Sequence, residues 1–141
     1  MIPVGILPLL LTLSLLSQTT RSIERAFFQN DADSLSALLS CKSHVNVSLP
    51  EPISFSDQLS SEQALFLFRR IYSTFVTFEF YPDSDPFVFP KDRSFIFKAR
   101  WSFKNKKNNN QYVLQVFFYL VRELESSENV WRIAEIKAEK L

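Results

Sequence analysis

The sequence is poor in four residue types. It holds one glycine, one histidine, one cysteine and one methionine in 141 residues, against 15 phenylalanines. The glycine, Gly5, lies in an apolar leader, and none follows it. P-loops, dinucleotide fingerprints and serine nucleophile elbows all need glycine where the backbone turns tightly or approaches a phosphate, so these are excluded. A single histidine excludes a two-His metal face. A single cysteine excludes a CxxC site, a zinc–thiolate cluster and an internal disulfide. No metal and no cofactor is expected. The formal net charge of +1 argues against a general nucleic-acid binder. What is present is ordinary for a globular chain: 46% hydrophobic and 22% charged residues predict a packed core, and the length predicts one domain.

Residues 1–20 carry no charged side chain, and the stretch from Ile2 to Leu16 is mostly Leu, Ile, Val and Pro. Ser17, Gln18, Thr19 and Thr20 follow. This reads as a secretory leader with cleavage near Ser17 or Thr19, although the usual basic segment before it is missing. The expected division is residues 1–19 as signal peptide and 20–141 as the domain, exported to a periplasm or secreted. Membrane contact would come only through an uncleaved leader, and Pro3, Pro8 and the short apolar run weigh against an anchor. Cys41 is expected to be buried at a helix end. Asn46-Val47-Ser48 fits a glycosylation sequon, which matters only in a eukaryote.

Period 3.6 predicts helix over residues 22–40, broken at Asp31-Ala32-Asp33, with Asp33 as N-cap of the second piece. Residues 44–49 alternate and predict a half-buried strand, with Val45, Val47 and Leu49 on its apolar side. Residues 53–59, after Pro50 and Pro52, read as a loop. Ser60 and Gln63 form an S-x-x-Q capping box for a helix to Ser73. Its apolar stripe is Ala64, Leu67, Phe68 and Ile71, with Arg69 and Arg70 on the other side.

From Thr74 the period changes to 2. Val76, Phe78 and Phe80 alternate with Thr77, Glu79 and Tyr81. A turn cluster at residues 82–86 and a short segment at 87–89 follow. Phe95, Phe97, Ala99, Trp101 and Phe103 then alternate with polar residues. Polar loops at 104–110 and 125–129 separate two further strands, over 111–124 and 130–138. Helices early and a meander late predict an α+β fold, with N-terminal helices packed on a curved antiparallel sheet. Without glycine, the tight turns should fall to Asn and Asp: Asn30-Asp31, residues 83–85, residues 108–110, and Asn129.

This layout resembles the nuclear-transport-factor-2-like (SnoaL-like) α+β cone, and within it the exported bacterial family of domain of unknown function 4783. Ser22 to Phe27 with residues 33–39 resembles the opening helix pair. Phe55-Ser56, then Ser61-Glu62-Gln63-Ala64 running to Phe68 and Phe75, resembles the central helix and the strand after it. Trp131-Arg132-Ile133-Ala134-Glu135-Ile136 resembles the closing strand. Asn30-Asp31 stands where the family tends to have a Gly before the Asp. The resemblance implies the cone fold and export, and no chemistry. The wider superfamily hosts isomerases, dehydratases and binding domains. The first helix here offers Phe27 and Phe28 where the isomerase type needs Tyr. The lone His44 shares a polar face with Asn46 and Ser48.

Four candidate sites follow. Phe27, Phe68, Phe97, Trp101 and Phe103 could line an apolar pocket for a small molecule or peptide, or be plain core. Phe117, Tyr119 and Val121 alternate with Val116, Phe118 and Leu120, so that strand is apolar on both faces and needs cover on both. The resemblance suggests a homodimer through that outer face. Between residues 91 and 110, seven basic residues stand against Asp92 alone. Of these, Lys98, Arg100 and Lys104 share a strand face that could meet an anionic partner, or be a solvated outer face. Glu79, if turned into the cone, could serve as a base. The reading is a non-catalytic exported binding or interaction domain. The alternative is a small cone-type isomerase or hydro-lyase using a pocket Glu or Tyr.

Overall fold

The computed structural model describes residues 6–83, 87–89 and 94–141, with side chains from Leu15 onward outside 84–93. The first five leader residues, part of the turn cluster and the start of the basic segment (residues 84–86 and 90–93) lie outside the described residues. The elements run α1 (Ile6–Phe28), α2 (Ala32–Ser36), β1 (Val45–Leu49), β2 (Phe55–Leu59), α3 (Ser61–Thr74), β3 (Phe75–Pro82), β4 (Phe87–Phe89), β5 (Ser94–Asn105), β6 (Gln111–Glu125) and β7 (Glu128–Lys140).

α1 runs without interruption from Ile6 across the expected cleavage zone, and Leu16, Ile23, Ala26 and Phe27 are buried. No helix among the described residues is long and apolar enough to cross a membrane. The helix ends where Asn30 takes a left-handed conformation, φ 54°. The N-cap of α2 is Asp31, not the expected Asp33: its carboxylate accepts from Ser34 N at 3.0 Å and Ser34 Oγ at 2.6 Å. These bonds hold the Asp31 carboxyl below its ordinary range. α3 starts as expected, with both halves of the Ser60–Gln63 capping box formed.

The strands form one sheet in the order β2-β1-β7-β6-β5-β3, with β4 also on β5. Its neighbours are antiparallel except β1 and β7, which run parallel. The helices cover one face. On β5 the expected face is the inner one: Phe95, Phe97, Ala99, Trp101 and Phe103 are all buried. They join Leu114, Val116, Phe118 and Leu120 of β6, and Trp131, Ile133 and Ile136 of β7, in one core beneath α1 and α3.

Three local expectations are corrected. The segment expected as a loop after Pro52 contains β2, an edge strand whose Ser56, Asp57 and Gln58 are exposed. A strand with solvent on one edge and most side chains outside shows no apolar alternation, so periodicity cannot find it. A bulge between Thr77 and Glu79 shifts the phase of β3. Thr77 and Phe80 therefore point inward together, while Phe78 is exposed. Cys41 is exposed, not buried. Leu39 bridges to Ile133 and Ser40 is buried, and the chain turns outward at the next residue.

The turns show what replaces glycine. Positive φ falls on Asn30, Ser54, Asn109, Ser126 and Ser127. Asn30 and Asn109 match expectation. At the β6–β7 hairpin the two-residue turn is Ser126-Ser127, and Asn129 is already in β7. Two consecutive positive φ values are what a tight hairpin requires to match the twist of its strands.

Candidate binding site

The five residues expected to line a pocket are brought together, but as packed core. Each is at most 1% exposed. Phe27 is the hub, with ring centroids 6.0 Å from Phe68, 5.2 Å from Trp101, 5.4 Å from Phe118 and 4.9 Å from Phe80. Trp101 lies 4.2 Å from Phe103, and Phe97 lies 5.6 Å from Phe118. Rings this close fill the space an internal ligand would need. Among the described residues, this constellation is therefore a stabilising core.

An open groove of mixed apolar and polar lining lies at the end of that core. α3 places Leu67 and Ile71 on the face above the sheet, with Arg70 at the rim. At Phe75 the backbone switches to an extended conformation, φ −122° and ψ 149°. Its ring then stacks edge-on against Phe103, at 5.2 Å. Facing α3 is the turn before β2. There Ile53 N and Ser54 N both donate to Pro50 O at 3.0 Å, and the Glu51–Pro52 bond is cis. Pro52, Ile53 and Phe55 form that wall, and Asn105, at the end of β5, forms the third side. The groove holds about 530 Å³ and opens to solvent. Ile53, Phe55 and Leu67 are half-buried and pack on the core, so the groove is an extension of the core to the surface.

The third wall is latched to α3. Lys106 N donates to Thr74 O at 3.0 Å, and Lys106 Nζ donates to Tyr72 O at 2.8 Å. Both bonds satisfy carbonyls that a helix C-terminus leaves unpaired, and the ammonium complements the negative end of the helix dipole.

A shallower groove on the other side of α3 is bordered by Asp31, Asp33, Arg69 and Tyr72. Asp33 and Arg69 are ion-paired at 2.6 Å. The Tyr72 hydroxyl is buried without a hydrogen-bond partner among the described residues. Burial, and secondarily the Asp31 carboxylate, push its phenol well above the usual tyrosine range, so it stays protonated.

Phe117, Tyr119 and Val121 stand on the outer sheet face, half-buried. Part of their cover is supplied by Lys98, whose Nζ sits 5.6 Å from the Phe117 ring centroid. Arg100 likewise lies 5.8 Å over Tyr81. Lys98 and Arg100 are exposed and Lys104 is half-buried on that same outer face. Glu79 pairs in register with Ser102 and, next to the inward Phe80, stands on the outer face, away from the cone interior.

Cys41, Glu123 and Glu125 bring potential ligand atoms within 4.8 Å of one another. Arg132 occupies both oxygens of Glu125, at 3.1 and 2.8 Å, and holds its carboxyl below the ordinary range. Ser40 Oγ donates to Glu123 Oε2. Glu125 is thus engaged in an ion pair and Glu123 in one hydrogen bond, while Glu123 Oε1 is buried without a partner among the described residues.

Structural comparison decides the fold. A ketosteroid isomerase-like protein from Erwinia carotovora atroseptica superposes with a TM-score of 0.68 at 13% identity, over 92% of this chain and 95% of that one. A DUF4783 family protein from Bacteroides uniformis gives 0.65 at 14%, over 86% and 95%. The chain has the NTF2-like fold. An NTF2-like protein of unknown function in nutrient uptake from Rhodospirillum rubrum gives 0.61 at 12%, over 89% and 97%. No family model and no curated protein matches the sequence. The NTF2-like cone carries many unrelated activities, so function here rests on the groove itself.

The groove was missed by sequence reasoning because its walls come from residues 52–55, 67–75 and 105.

Proposed function

We propose that this NTF2-like domain is a non-catalytic binding module that buries an apolar ligand or peptide segment in the groove between α3, the turn before β2 and Asn105. One observation supports this reading above others. The groove is walled by Pro52, Ile53, Phe55, Leu67, Ile71 and Phe75, with Ser54, Arg70, Thr74 and Asn105 as its polar part, and among the described residues no carboxylate, imidazole or thiol lines it to move a proton. A neutral reporter dye tests it. Nile red should bind saturably with one site per chain, and Leu67→Glu should remove that site. Absence of saturable binding by the parent protein would overturn the reading.

The same proposal includes export with removal of residues 1–19, and a homodimer through the outer sheet face. The half-exposed row of Phe117, Tyr119 and Val121, beside Ile96, supports the dimer. Sedimentation at micromolar concentration should give twice the chain mass, and Phe117→Glu should halve it. Intact mass of protein recovered outside the cytoplasm should correspond to a chain starting at Thr20.

A further inference from the structure

We infer that the occupant of the groove is a monocarboxylate with an apolar tail, of the kind of a medium-chain fatty acid. This deepens the apolar-binding reading and rests on it. The first argument is charge. Arg70 is exposed at the rim and makes no ion pair among the described residues, whereas its neighbour Arg69 is tied to Asp33. No acid lines the groove, and Glu51, beside Pro52, is engaged by Lys140 at 3.3 Å. The site therefore presents a cation with no counter-charge among the described residues. An anion is the complement, and one guanidinium calls for one charge.

The second argument is hydrogen-bond polarity. Asn105 Oδ1 accepts from Lys107 N at 2.8 Å and Asn108 N at 3.4 Å. That fixes the amide orientation and leaves its NH2 end over. Among the described residues, neither the Arg70 guanidinium nor the Asn105 NH2 donates to an acceptor. A carboxylate, which only accepts, is the chemical complement of such donors; an alcohol or an amine matches them less well.

The third argument selects a plain tail over a peptide. The backbone N–H groups around the groove are already used. Ile53 and Ser54 donate to Pro50 O, Phe75 donates to Ile71 O, and Lys106 donates to Thr74 O. A peptide laid there would bring polar main-chain groups to walls that offer them few partners. An alkyl or aryl chain brings none.

The test is a calorimetric titration of the full chain with decanoate and with 1-decanol, on the parent and on Arg70→Gln. Amide shifts of Thr74 and Asn105 locate the binding. Arg70 is exposed, so the variant should fold as the parent does. Decanoate should bind about tenfold or more tighter than decanol, as expected for a charge-assisted hydrogen bond, and Arg70→Gln should bring the two together. Equal binding of the two ligands at the groove would overturn the carboxylate inference and leave the apolar reading standing. Binding of neither would overturn both. A preference for decanoate that survives Arg70→Gln would also overturn it, because the cation would then lie elsewhere. So would an apolar hexapeptide with a free carboxyl that shifts Thr74 and Asn105 where decanoate does not.

Discussion

The indole N–H of Trp101 donates to Thr77 Oγ1 at 2.9 Å, across neighbouring strands and inside the core. Both side chains are buried, at 0% and 7% exposure. The bond exists because the bulge after Thr77 turns a residue that strict alternation would send outward to the inner face. It solves a problem set by the sequence: Trp101 is the largest fully buried side chain, and its one polar atom needs an acceptor.

Thr77→Val keeps the shape and removes that acceptor. The indole N–H is then buried unpaired, which costs about 1–3 kcal/mol. Thr77→Ser should retain most of the stability. Urea denaturation of the two variants separates them, and a valine variant as stable as the parent would refute the role assigned to the hydroxyl.

Phe27 touches rings from α3, β3, β5 and β6 at once. Phe27→Ala should cost about 3–5 kcal/mol, as for other deletions of a buried ring. Phe28 is the control. It is 59% exposed, and Phe28→Ala should change stability by less than about 0.5 kcal/mol. Thermal unfolding of the pair is sufficient. Similar losses in both would contradict the assignment of Phe27 to the core hub.

Much of this architecture was legible in the sequence, for identifiable reasons. β5 alternates over nine residues because helices bury one face while the other carries mostly polar side chains, so its inner residues could be named in advance. The capping box marked the start of α3. What stayed hidden depends on relationships that periodicity does not encode. β2 is polar because little of it is buried. The bulge at Thr77 is a phase change within an otherwise regular strand. The groove needs three segments, and Arg70 on its lining stands next to Arg69, whose pairing with Asp33 across the helices only the fold reveals. The aromatic residues were correctly grouped, yet whether grouped rings enclose space or fill it is settled by packing distances alone.

Asn30 does two jobs in a chain with no glycine beyond the leader. Its backbone sits at φ 54°, and its side-chain Oδ1 accepts from Thr77 N at 2.8 Å. Asn30→Ala loses the bond and adds left-handed strain of roughly 1–2 kcal/mol. Asn30→Gly loses the bond but relieves the strain. The glycine variant should therefore be the more stable of the two in chemical denaturation. The reverse order would mean that the turn is not held in the left-handed region.

Tyr72 gives the alkaline limit. Its hydroxyl is buried and unpartnered among the described residues, and burial raises its phenol well above the ordinary value of 10.0. The folded state thus holds the proton more tightly than the unfolded state. Its contribution is fully present below the unfolded value, and stability falls as pH rises above about 10, where the unfolded chain releases the proton first. Tyr72→Phe removes both the titration and an unsatisfied polar atom. At neutral pH it should be neutral or stabilising by up to about 1 kcal/mol, and its stability should decline less steeply above pH 10. Denaturation midpoints measured from pH 8 to 11 on the two proteins decide it: parallel curves would show that this phenol does not set the alkaline transition.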